Sequence, residues 1–128
     1  MMKFEPKKSY EEIEVGDRIL KLSFADADIK RYKAVFEEYD EDVKQAQKEL
    51  KNGTSTEETE KTLFKAVEKL TDTIFTFGTF DYVYNDVCGG ASDTFEDFMN
   101  IVGVMIDERR TEKAEKRKNE YLNAKLNK

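Results

Sequence analysis

Cys88 is the single thiol in a chain of 128 residues that contains no histidine. Any chemistry would therefore rest on that thiol or on carboxylates. A cysteine nucleophile needs a lowered pKa and a neighbouring base, and without imidazole the usual triads are excluded. Cys88 stands just before Gly89 and Gly90, at the expected C-terminus of a short helix, where the helix dipole raises a thiol pKa. It reads as a small apolar residue, buried or half-buried. The carboxylates offer a second route. Asp93, Glu96 and Asp97 can share a helix face, and Asp81 and Asp86 flank the helix before it. Oxygen-only sets of this kind can hold Mg2+ or Ca2+. Yet Asp93 falls where a helix cap is needed, and acids in a first turn are expected from the dipole alone. The glycine pair lacks both the spacing and the lysine of a phosphate loop. The expectation is a protein that is not an enzyme, with no catalytic residue, cofactor or metal.

Two other features can bind without catalysing. Phe75, Phe77, Phe80, Tyr82 and Tyr84 fall within ten residues, across a helix–glycine–helix joint. Alternate residues across such a joint cannot all face one small core. Two readings follow: plain core packing of these rings, or a partly exposed apolar groove for a partner segment, with Phe77, Tyr82 and Tyr84 as its lining and Phe80 beside them. The second feature is the basic end of the chain, opening with Arg109 and Arg110. Residues 109–128 carry eight Lys/Arg against three Glu, whereas residues 1–108 carry 14 against 25 acids. An acidic body with a basic tail points to electrostatic association. Glutamates interleave with the tail's cations and no aromatic–basic alternation appears, so nucleic acid is not the expected partner.

The elements that must position these residues are legible as periodicities. Gly16-Asp17 between alternating runs signals a two-residue type II′ hairpin. It pairs Val15 with Arg18, Ile13 with Leu20 and Glu11 with Leu22, and puts Ile13, Val15, Leu20 and Leu22 on one face. Such a hairpin must lie on helices to be stable. Ile29, Tyr32, Phe36, Tyr39, Val43, Ala46 and Leu50 predict a helix over 26–51, capped by Asp26 or Asp28 and ended by Asn52-Gly53. Ser55 and Glu58 form a capping box for a second helix striped by Leu63, Val67, Leu70, Ile74 and Phe77, which Gly78 stops. The short joint favours an antiparallel helical pair. Thr79 to Val87 reads as a third helix, with Phe80, Val83, Tyr84 and Val87 on one side. A fourth runs from about 93 to 125, ~50 Å if continuous, with Phe95, Phe98, Met99, Val102, Met105 and Ile106 as its stripe. The fold class is thus mainly α with a small N-terminal β-hairpin (α+β): an antiparallel bundle of about four helices with a long C-terminal helix. The expected division is a flexible arm over 1–9, one globular domain over 10–108 and a basic helical extension over 109–128.

Hydrophobic residues make up 38% of the chain and charged residues 39%, which suits amphipathic helices better than a buried parallel sheet. The N-terminus lacks an apolar signal core, no segment approaches the ~18 apolar residues of a membrane span, and a lone cysteine forms no internal disulfide. A cytoplasmic protein without membrane contact is expected.

The order of features resembles a known family. The Val15-Gly16-Asp17 turn leads through Leu20-Lys21-Leu22-Ser23-Phe24-Ala25-Asp26 into a charged helix with Tyr32 and Phe36. The Phe77-Gly78-Thr79-Phe80-Asp81-Tyr82-Val83-Tyr84 joint and a Lys/Arg-rich tail from Arg109-Arg110 follow. In this the chain, over roughly residues 10–128, resembles the small tail assembly chaperones of long-tailed (siphovirus-type) phages and prophages of Gram-positive bacteria. These motifs are loose and carry no invariant chemical signature. The resemblance implies a non-catalytic role in the host bacterial cytoplasm during virion assembly. Such chaperones coat the helical tape measure protein, keep it soluble and help recruit the tail-tube protein. They are often made in two lengths through a frameshift, and this chain is compatible with the short form. Two other readings stand beside it: a self-associating helical structural or adaptor protein, using the Ile29–Leu50 stripe as a homo-oligomer seam, and a nucleic-acid-binding regulator using the tail.

Overall fold

The computed structural model describes residues 1–6, 8–53 and 56–126, with the backbone alone at Thr56, Tyr121 and 123–126. Strands β1 (Tyr10–Val15) and β2 (Arg18–Ser23) form a two-stranded antiparallel sheet. Its register is the one that the turn dictates: Val15 opposite Arg18, Ile13 opposite Leu20, Glu11 opposite Leu22. Gly16 has φ +62° and Asp17 a negative φ, as a type II′ turn requires. Val15 and Leu22 are buried, whereas Glu12, Glu14 and Lys21 are exposed. Lys21 reaches diagonally across the strands to lie 3.9 Å from the Tyr10 ring centre.

Helix α1 (Asp26–Lys51) follows at once and has the bounds that its stripe predicts. Its start differs from expectation. The residue before the helix is Ala25, with no side-chain cap, and Asp26 and Asp28 lie inside the first turn. Asp28 instead accepts the hydroxyl of Ser23, which ties the end of β2 to the helix. Gly53, at φ +73°, supplies the left-handed residue at the other end. Ser55, the expected cap of the second helix, lies outside the described residues.

Helix α2 (Thr56–Ile74) returns along α1. Glu38 pairs with Lys69 at 2.6 Å and Glu49 accepts the Thr59 hydroxyl at 3.1 Å, so rising numbers on one helix meet falling numbers on the other. The pair is antiparallel. Tyr32 and Ala46 of the α1 stripe are buried, together with Val35 beside it, as are Leu70 and Ile74 of α2. The stripe therefore serves the chain's own core at these positions. Helix α2 ends at Ile74, earlier than its stripe suggested, so Phe77 lies beyond the helix.

Element α3 begins as one turn of α-helix (Thr79–Asp81) and continues as a π-helix (Tyr82–Val87). Gly78, at φ +91°, opens it, and the Asp72 carboxylate of α2 accepts the Phe80 N–H at 2.9 Å. The Cys88 N–H donates to the Val83 carbonyl five residues back at 2.9 Å. This wider turn changes which side chains face inward. Tyr82, absent from the expected stripe, is buried, and Val87, included in it, is exposed. Gly89 and Gly90 are both left-handed and end the element.

Helix α4 (Ser92–Leu126) is 35 residues long, with Phe95, Val102 and Ile106 buried on one side. The chain divides into two compact units, Met1–Ala91 and Ser92–Lys128, and α4 runs unbroken through residues 108 and 109. No helix among the described residues is long and apolar enough to cross a membrane.

Within the first unit the hairpin is held by two phenols. Tyr32 donates its hydroxyl to the Ser23 carbonyl at 2.8 Å. The Tyr82 hydroxyl lies 2.8 Å from the Val15 carbonyl and 2.7 Å from the Asp17 carboxylate, and accepts the Asp17 N–H at 3.1 Å. The turn sits so closely on this phenol that a Cβ at Gly16 would come within 2.5 Å of its oxygen. Gly16→Ala is expected to cost about 2 kcal/mol, from the strained left-handed backbone and this overlap. In a Tyr82→Phe background the overlap with the oxygen is gone, so the same substitution should cost less. Urea unfolding of the two single variants and the double variant checks this, and strictly additive losses would contradict it.

Candidate partner-binding site

The aromatic residues of the α2–α3 joint separate into three environments. Phe80 and Tyr84 of α3 stack with ring centres 5.2 Å apart and planes 9° apart. Phe64 of α2 meets both edge-on, at 5.0 Å from Phe80 and 5.4 Å from Tyr84. Both geometries suit the ring quadrupoles. Phe80 is fully inside this trio, Tyr84 is half-buried and Phe64 is 45% exposed. Tyr82 points the other way, beneath the hairpin turn, with the Arg18 guanidinium 4.0 Å from its ring centre. Phe77 belongs to neither group. It stands on the joint at 93% exposure.

These placements redistribute the expected lining. Phe80 and Tyr82 are core residues and present almost no surface to a partner. Phe77 presents nearly all of its ring, and Tyr84 part of its own. Phe64, partly exposed, stands outside the expected lining. It lies next to Leu63 and outside the Leu63, Val67, Leu70 and Ile74 row, and an apolar ring off the buried row of an amphipathic helix is the signal that could have singled it out.

Phe77 borders a surface groove of about 420 Å3 lined also by Lys65, Glu68, Lys69, Asp72 and Thr73. Its walls are charges of both signs. Glu38 hydrogen-bonds Lys69 and holds its ammonium pKa above the usual value. Asp72 is turned toward the Phe80 N–H and so fixes the joint on which Phe77 stands. A second shallow groove of about 470 Å3 lies beside the hairpin turn, between Gly16, Asp17, Arg18, Tyr82, Asp86 and Val87.

Arg109 and Arg110 belong to α4. The Arg109 side chain is only 14% exposed and lies 4.0 Å from Glu112, whereas Arg110 is exposed. Cys88 is half-buried, and burial pushes its thiol pKa up, the direction expected. It is therefore a neutral thiol near pH 7. Among the described residues no three Cys, Asp or Glu side chains converge as a metal site would need. What this surface can do is bury an apolar side chain of a partner against Phe77 while meeting charges on either side of it.

No protein family, curated protein or solved structure was found to match the chain.

The two phenols that hold the hairpin make its stability depend on alkali. Burial raises the Tyr82 pKa, with the Asp17 carboxylate adding to it, and burial followed by Asp28 raises that of Tyr32. A phenol whose folded pKa lies above its unfolded value of ~10 contributes stability below that value and loses it as pH rises through the folded one. The urea midpoint of the wild-type chain should therefore fall as pH passes ~10. In Tyr32→Phe/Tyr82→Phe it should start lower and fall less steeply over the same range. Parallel alkaline slopes in the two proteins would show that these phenols are not the groups responsible.

Proposed function

We propose that this chain is a non-catalytic assembly chaperone, which binds a helical client through the α2–α3 joint and keeps it soluble. The client in this reading is the tape measure protein of a long-tailed phage or prophage, bound in the host cytoplasm while tail-tube protein is recruited around it. The single observation that carries the binding site is Phe77, a phenylalanine 93% exposed on a joint that Asp72 holds in place. Its neighbours on α2 are charged, and Phe64 and Tyr84 offer further ring surface on α2 and α3. An amphipathic client helix could set one apolar side chain on Phe77 and align its own charges with those of α2, as helix-in-groove complexes do. The identity of the client rests on the resemblance of the hairpin, joint and tail motifs to tail assembly chaperones. The high proportion of charged residues, 39%, agrees with a protein that must keep a large apolar client in solution.

Co-expression with the neighbouring gene product of longest helical, apolar sequence tests this directly. That partner should move to the soluble fraction and co-purify with this chain. Phe77→Ala should weaken binding by roughly 30-fold, the effect of losing one anchor of about 2 kcal/mol. Because Phe77 is exposed, the variant should keep its wild-type melting temperature. Undiminished binding by a folded Phe77→Ala would displace the site from this joint, and an insoluble, uncomplexed partner would reject the chaperone reading.

A further inference from the structure

Of the chain's asparagines only Asn52 is followed by glycine. It ends α1, with φ −87° and ψ 5°, and Gly53 turns left-handed behind it at φ +73°. That conformation favours glycine, because a Cβ there strains the backbone. The helix end thus requires the one residue that has no side chain to shield its main-chain nitrogen from the Asn52 amide. Both residues are exposed, and a Cβ on Gly53 would meet nothing within 4 Å. The Gly53 N–H donates to the Leu50 carbonyl at 3.3 Å, long for such a bond, and helix ends open at little free-energy cost. The other asparagines within the described helices are placed differently. Asn85 lies in the π-helical turn and donates its amide to Asp81 at 2.8 Å, and Asn100 and Asn119 lie inside α4. There the next main-chain N–H is bonded into the helix and is turned away from the side-chain carbonyl.

We propose that Asn52-Gly53 is a self-modifying site, at which the Gly53 nitrogen displaces ammonia from the Asn52 side chain. A solvent base takes the Gly53 amide proton, and the nitrogen attacks Asn52 Cγ. An N–Cγ bond forms, the Cγ–Nδ2 bond breaks, and Nδ2 leaves as ammonia with a proton returned by the solvent. Water then opens the five-membered imide at either of its two carbonyls. Opening at Cγ restores an ordinary main chain with aspartate at position 52. Opening at the main-chain carbonyl leaves isoaspartate, whose backbone runs through Cβ and Cγ. One water is consumed, one ammonia is released, and nothing is oxidised or reduced. Either product sets a carboxylate at the C-terminus of α1, where the helix dipole disfavours it and Lys48 and Lys51 of the last turn offset it in part. Isoaspartate also moves the Gly53 N–H away from the Leu50 carbonyl. The α1–α2 turn of an aged chain therefore differs in charge and in backbone from that of a new one. This turn lies at the other end of α2 from Phe77, and the reaction needs no client.

Peptide mass spectrometry of the full chain, aged in warm, mildly alkaline buffer, tests this. An isoaspartyl methyltransferase with labelled S-adenosylmethionine counts the isoaspartate. The Asn52 peptide should lose its amide first and yield both products, at a rate that rises in proportion to hydroxide. Asn85, Asn100 and Asn119 should keep their amides over the same interval. Asn52→Gln should lose most of the methyl-accepting signal, because glutamine would have to close a larger ring. Position 52 is exposed, so circular dichroism should show this variant folded. An unchanged Asn52, over an interval in which a short synthetic peptide of the same sequence reacts, would overturn the proposal by showing that the helix end protects the amide. Equal conversion at Asn85 or Asn100 would overturn it as well, since the turn would then confer nothing.

Discussion

One hydroxyl group joins the two ends of the first compact unit. The Tyr82 oxygen sits within hydrogen-bonding distance of the Val15 carbonyl, the Asp17 carboxylate and the Asp17 N–H. With one proton it donates to one of the two oxygen acceptors at a time, while a lone pair takes the N–H. A two-stranded hairpin has too little buried surface to persist alone in water. Here it is fastened at both ends, by Tyr82 at the turn and by Tyr32 at the Ser23 carbonyl. The rest of the local design follows from that. Gly16 has to lack a side chain because the phenol occupies the space, and the π-helical turn of α3 carries Tyr82 inward.

The same turn places the other rings. Phe80 and Tyr84 stack on each other and meet Phe64 of α2 edge-on, Tyr82 holds the hairpin, and Phe77 is left outside both groups. The exposure of Phe77 has a definite cause. Helix α2 stops at Ile74, Gly78 turns left-handed and Asp72 caps the next element, so no continuing helix remains to bury the ring.

Much of this was legible in the residues. The hairpin register followed from Gly16-Asp17, because a two-residue turn leaves one pairing that puts Val15 and Leu22 on the same face. Helix α1 has the bounds that its stripe predicts, since seven apolar positions over 26 residues override any local ambiguity, although Leu50 at its end is exposed. The misses arise where contacts outside the helical period decide which side chain faces inward. Asp72 capping Phe80 spans eight residues, and the Tyr82 bond to Val15 spans 67. The i to i+5 bond at Cys88 has no periodic signature in so short a segment, so the ordinary helical period gives Val87 the inward place that Tyr82 takes. Of the expected lining residues, Phe77 and Tyr84 reach the surface, whereas Phe80 and Tyr82 do not. A run of rings tells how much aromatic surface must be placed, but not which ring remains outside.

Amide hydrogen exchange of the wild-type chain and Tyr82→Phe, compared residue by residue, tests most directly whether this hydroxyl holds the hairpin on the helices. If it does, amides of β1 and β2 lose roughly tenfold or more of their protection in the variant, while those in the middle of α1 and α2 keep theirs. Unchanged hairpin protection would contradict the account, because the hydroxyl would then be a bystander. A loss shared equally by hairpin and helices would contradict it as well, by showing that Tyr82 supports the whole unit rather than this attachment.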